Sequence, residues 1–125
     1  MKKLFKIVLV SIIPLVVFSC YYDEFPEEIV QDDVVIDPDI VVSFADDIAP
    51  IFVNYNCTQC HDASGQAPDL SPGNAYASLL AGYVNPGNSG SSTLYIQLND
   101  LGHQNVDPDA IALIKKWIDD GAENN

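Results

Sequence analysis

Basic side chains are scarce in this chain: five Lys and Arg stand against eighteen Asp and Glu, for a net charge of −13. Three of those bases, Lys2, Lys3 and Lys6, fall at the very start. Beyond them only Lys115 and Lys116 remain, so no basic patch can neutralise phosphates, which excludes nucleic acid as a partner. Methionine occurs only as Met1, and histidine only as His61 and His103. The cysteines are Cys20, Cys57 and Cys60. The uncharged apolar run from Ile7 to Phe18 falls short of the ~20 residues a bilayer-crossing helix needs. From Ser43 onward there is no strand pattern and hence no βαβ unit, which argues against a thioredoxin-like dithiol.

The N-terminal segment is laid out as a secretory signal peptide: a basic start, the apolar run, then Ser19-Cys20. Pro14 in its middle and the lack of a polar face argue against a buried core helix. Val17-Phe18-Ser19-Cys20 resembles a bacterial lipoprotein box, although Phe18 is bulkier than the usual residue there. Lipidation at Cys20 explains a third cysteine that has no partner. Residues 1–19 are therefore expected to be a lipoprotein signal peptide, the alternative being a soluble periplasmic protein cleaved nearby.

Residues 20–42 are expected to form a lipidated N-terminus and an acidic linker. Asp and Glu recur here without a single base, and Pro26 and Pro38 oppose helix formation. Like charges repel, so the segment should be extended. Its apolar patches Val34-Val35-Ile36 and Ile40-Val41-Val42 could pair as a short strand or pack on the following domain. Acids so close to the lipidated residue resemble the export signal of surface-displayed lipoproteins. The location expected is the bacterial outer membrane, facing the periplasm or the surface, with membrane contact made by the acyl chains.

The chemistry concentrates in Cys57-Thr58-Gln59-Cys60-His61. Two cysteines three apart followed at once by histidine is the spacing for covalent haem c attachment. Each thiol adds to one vinyl group of the porphyrin, and His61 comes beneath the ring as proximal iron ligand. Cys57, Cys60, His61 and His103 also total a Cys₂His₂ zinc set. Adjacent Cys60 and His61 fit one tetrahedron poorly, and the paired spacing of zinc sites is missing.

Residues 43–125 are expected to be an all-α haem domain. About 83 residues give a marginal apolar core, to which a covalently held haem would add a large apolar body. Ser43 reads as an N-cap with Asp46 three residues on. Phe44, Ile48, Ile51, Phe52 and Tyr55 then recur at helical spacing, with a kink or a second start at Pro50. Short helices follow around Tyr76, Leu79 and Leu80, and through Leu94, Tyr95 and Leu98, the latter capped by Ser91 or Ser92. Asn85-Pro86-Gly87-Asn88 is turn chemistry. The last helix has Asp107 as N-cap, Pro108 in its first turn, an apolar face of Ile111, Ile114, Trp117 and Ile118, and Gly121 as its stop. Trp117 reads as core, packed on the first helix.

Several of these stretches together resemble class I-like monohaem cytochrome c domains of a bacterial lipoprotein type. They are Ser43-Phe44 with Asp47-Ile48 and Pro50-Ile51-Phe52, then Val84-Asn85-Pro86-Gly87-Asn88 before Ser92-Thr93-Leu94-Tyr95, and Ile111 through Ala122. The resemblance covers most of residues 43–125. It implies a small helical fold wrapped around one haem, with the first and last helices crossing. It also implies a proline whose carbonyl orients the proximal histidine. Pro68 matches that proline, or is only a loop residue.

Many relatives bind iron with a methionine from a loop before the last helix. Here that loop, Asn99 to Asp107, has none, and Met1 leaves with the signal. His/Met ligation within the mature chain is therefore excluded. His103 lies in this loop and is the preferred distal ligand, giving a bis-histidine iron of lower potential than a His/Met one. The alternatives are an exposed His103 beside a five-coordinate or water-bound iron, or Gln104, Asn105 or a neighbour facing an open site.

Two functions follow. The preferred one is a lipid-anchored carrier of single electrons in the cell envelope, not an enzyme, working with redox proteins whose docking face is basic. The other is small-gas sensing or peroxide chemistry at an open iron, for which no acid/base pair beyond His103 is evident.

Overall fold

A computed structural model describes Val34 and residues 36–125, within a compact unit spanning Asp33–Asn125. The expected signal peptide, the expected lipidation point Cys20 and most of the acidic linker lie outside the described residues. Those described form helices and no strand, an all-α fold. None of these helices is long and apolar enough to cross a membrane.

Ser43 caps the first helical turn. Its hydroxyl accepts from the Asp46 N–H at 3.2 Å, while its own N–H donates to Asp47 Oδ2 at 2.8 Å. The expected reciprocal cap is thus made by Asp47 rather than Asp46. The reason is the π-helical first turn, Phe44–Ile48, in which the Ile48 N–H reaches back to the Ser43 carbonyl. Helix α1 (Ala49–Asn54) starts immediately after, with Pro50 in its first turn where a missing N–H costs least. Helices α2 (Ala75–Leu80), α3 (Thr93–Asn99) and α4 (Pro108–Asp119) follow. Short 3₁₀ turns at Cys57–Gln59 and Ser89–Ser91 interrupt the connections.

Helix α4 stops where its sequence says. Gly121 adopts φ +114°, and the Ala122 N–H returns to the Trp117 carbonyl at 2.8 Å. Its start differs in detail: Asp107 stands at the N-cap position but makes no side-chain cap bond. Its carboxylate instead accepts from the Tyr55 hydroxyl at 2.7 Å.

One core joins the π-helical turn, α2 and α4. Trp117 is buried, with ring centroids 5.2 Å from Phe44 and 6.4 Å from Tyr76, and Phe44 and Tyr76 meet edge to face. The indole N–H donates to the Glu123 carbonyl at 2.9 Å, and the Tyr76 hydroxyl to the Ala122 carbonyl at 3.0 Å, so neither polar tip lacks a partner. Ile48, Phe52, Leu79, Ile114 and Ile118 are also fully buried. Each such side chain contributes about 1.5–3 kcal/mol by leaving water. Val42, on the linker side of the expected boundary, is buried with this core, while Ile40 and Val41 remain exposed.

The segment Asn85–Ser92 links the α4 end of the core to α3. The Gly87 N–H donates to the Ile118 carbonyl at 2.7 Å, and the Ser89 N–H to Asp119 Oδ1 at 2.8 Å. Ser92 is fully buried at the head of α3. Its hydroxyl accepts from the Asn85 N–H and donates to the Asn88 carbonyl, both at 2.9 Å. Ser92 therefore occupies the N-cap position while its side chain closes the preceding turn.

A candidate cofactor site between two histidines

Asn56 takes a left-handed conformation, φ 57°, which ends α1 and throws the chain into the 3₁₀ turn of Cys57–Gln59. The His61 N–H then closes on the Cys57 carbonyl at 2.9 Å. This places Cys57, Cys60 and His61 along one wall of a cavity of about 420 Å³. Both thiols are free; Cys57 is buried and Cys60 exposed. Burial pushes the Cys57 thiol above its ordinary pKa, which keeps it protonated at neutral pH.

The loop after His61 folds back on the turn. The Gln66 N–H donates to the Cys60 carbonyl at 2.8 Å and the Leu70 N–H to the His61 carbonyl at 2.8 Å. Gly65 makes this return possible, because a Cβ there would run into the Cys60 carbonyl. The fold-back sets the Gln66 carbonyl 3.1 Å from His61 Nδ1. A carbonyl can only accept, so Nδ1 carries the proton and Nε2 is left as the lone-pair nitrogen. The orienting carbonyl is thus that of Gln66, not Pro68. The loop turns back two residues earlier than the resemblance implied, and Pro68 lines the cavity instead.

His103 enters from the opposite arm of the chain, the loop between α3 and α4. Its N–H donates to the Gln97 carbonyl at 2.9 Å. The His61 and His103 rings have centroids 6.1 Å apart and planes at 80°. Ile51, Phe52, Leu70, Leu94, Leu98 and Val106 supply the apolar walls, and Tyr83, Gln97 and Gln104 the polar points.

The donor set suits a haem. A volume of this size lies within the ~300–1,000 Å³ of small-molecule and cofactor sites. Two imidazoles bonded at ~2 Å to opposite sides of one metal ion would have centroids roughly 6 Å apart, close to the spacing found. Among the described residues no three His, Cys, Asp or Glu side chains converge on one point, as a protein-only zinc centre requires. A haem brings four nitrogens of its own and asks the chain for axial ligands only.

Cys57, Cys60, His61, Pro68 and His103, all singled out from sequence, meet in this one cavity; Cys20 lies outside the described residues. Gly65, Gln66 and the Gln97 carbonyl were not anticipated, because their parts depend on backbone placement and not on side-chain type. Comparison with protein-family models, with curated proteins and with solved structures finds no match to this chain.

Proposed function

We propose that this chain is a monohaem c-type cytochrome that carries single electrons in a bacterial cell envelope, anchored by lipid at Cys20. The observation that carries the reading is the meeting of Cys57, Cys60 and His61 with His103 across a single apolar cavity. Haem iron supplies the one-electron redox chemistry. The chain's own residues do the rest. Cys57 and Cys60 would hold the porphyrin through thioethers, so that it could not dissociate. The Gln66 carbonyl holds the proton on His61 Nδ1 and leaves Nε2 free to bind the metal. His103, facing His61, would serve as the second protein ligand to the iron, which would keep small ligands away and favour electron transfer over chemistry. The apolar walls limit water at the site.

The acidic linker is a leash from the membrane, and the surplus of carboxylates selects redox partners with a basic face. With no methionine available, the potential lies below that of a His/Met cytochrome. The test is direct. A haem stain of a denaturing gel should be positive, and the ferric protein should give a low-spin spectrum by absorption and EPR. His103→Ala should turn high-spin. High-spin spectra from both proteins would exclude His103 as a ligand and leave the open-iron reading in its place.

A further inference from the structure

His103 sits between two left-handed residues, Gly102 at φ 61° and Gln104 at φ 60°. Glycine takes that conformation freely, whereas a glutamine must be held in it. The Gln104 side-chain amide donates to the Tyr55 carbonyl at 3.1 Å. Three residues further on, the Tyr55 hydroxyl donates to Asp107 Oδ2 at 2.7 Å and accepts from the Asp107 N–H at 3.3 Å. One residue, two positions before Cys57, therefore grips the chain at two points just past His103. On the other side of His103 the loop is tied to α3 by backbone bonds, from the Asp100 and Leu101 N–H groups to the Ile96 carbonyl and from the His103 N–H to the Gln97 carbonyl, so Tyr55 supplies the hold on the α4 side.

We propose that Tyr55 is a positioning residue that holds His103 opposite His61, so that access to the sixth iron position is governed by a clasp from the attachment side of the site. The inference rests on the cytochrome reading above. Its bonds are solvent-exposed, so the clasp opens and closes, and the fraction of time it is closed sets how long His103 stays in place.

Carbon monoxide reads this directly, because it binds reduced iron only after His103 leaves. In the purified, haem-stained protein, binding should be slow in the unaltered chain and fast in His103→Ala. Tyr55→Phe removes the arm to the Asp107 carboxylate and should raise the rate about tenfold, the scale of one lost hydrogen bond to a charged group, while Gln104→Ala removes a neutral arm and should raise it about threefold to fivefold. Ser43→Ala, which weakens a cap remote from this loop, should leave the rate unchanged. If both clasp variants bind carbon monoxide at the unaltered rate while His103→Ala binds faster, the proposal is overturned. If the unaltered chain already matches His103→Ala, or carries no haem, it is the ligation reading that has failed. Amide exchange then decides the clasp separately: faster exchange at His103 in Tyr55→Phe supports it, and unchanged exchange removes it.

Discussion

The two ends of this small domain are held together by different means. Around Trp117 the chain closes on itself: three aromatic rings meet, the Trp117 and Tyr76 donors find backbone carbonyls, and the π-helical turn lies against α4. Around His61 and His103 it does not. There the walls come from a 3₁₀ turn, three loops and one face each of α1 and α3, and they enclose a cavity. Regular helices can bury one another, whereas turns expose backbone and present few apolar side chains. A chain this short therefore has enough apolar surface to finish one end by itself. In the proposed reading a haem would complete the other, which makes the cofactor part of the core as well as the redox centre.

The largest effect expected from breaking this division comes from the double variant Cys57→Ser/Cys60→Ser. It should abolish haem staining altogether, and the residues lining the cavity should lose amide protection more than those around Trp117. Equal loss at both ends would mean that the two form one cooperative unit. Trp117→Ala attacks the self-closed end and should cost about 3–5 kcal/mol by denaturant unfolding, the usual range for emptying a large aromatic site. Covalent haem should survive in the fraction that folds. Gly65→Ala is smaller and more local. The added methyl meets the Cys60 carbonyl and should cost about 1–3 kcal/mol, the range for overpacking. It should also shift the His61 Nδ1–H resonance as the Gln66 carbonyl is pushed away. An unmoved resonance would show that the loop gives way elsewhere.

The same contrast explains what could be read from the sequence. Helix α4 was legible almost to the residue, since its apolar spacing, Pro108 and Gly121 are local signals that tertiary contacts did not override. Trp117 was placed correctly against the first helix for the same reason. At the cavity, side-chain chemistry was legible and backbone geometry was not. The spacing of Cys57, Cys60 and His61 and the loop position of His103 single out residues that the fold brings to one cavity. The carbonyl that faces His61 is that of Gln66, whereas the resemblance left Pro68 as either the orienting proline or a loop residue, because a carbonyl is carried by every residue and leaves no mark in composition. Asp107 likewise looked like a cap, since nothing local reveals that Tyr55 lies within reach of its carboxylate. Ser43 was correctly read as a cap but its partner fell one residue later, an offset created by a π turn that has no sequence signature of its own.

The smallest expected effect lies where the two ends are joined, at Asp119. Its carboxylate takes the Ser89 N–H at 2.8 Å and pairs with Lys115 at 2.7 Å, so it fastens the turn before α3 to the end of α4. Partial burial pushes its pKa up, but the Lys115 and Ser89 hydrogen bonds outweigh that, and the net direction is down. A carboxyl depressed by folding adds stability above the ordinary aspartate value of ~3.9, and loses that contribution as pH falls through the lower folded value. Asp119→Asn should therefore be less stable at pH 7 by about 0.5 kcal/mol, kept small by solvent around both partners of the ion pair. The difference should shrink once the pH drops below the ordinary carboxylate range, as the aspartate itself becomes neutral. Urea unfolding of both proteins at pH 7 and in acid measures this. A deficit that persisted unchanged in acid would assign the effect to the geometry of the Ser89 bond, and the join between the two ends would then be a matter of shape rather than charge.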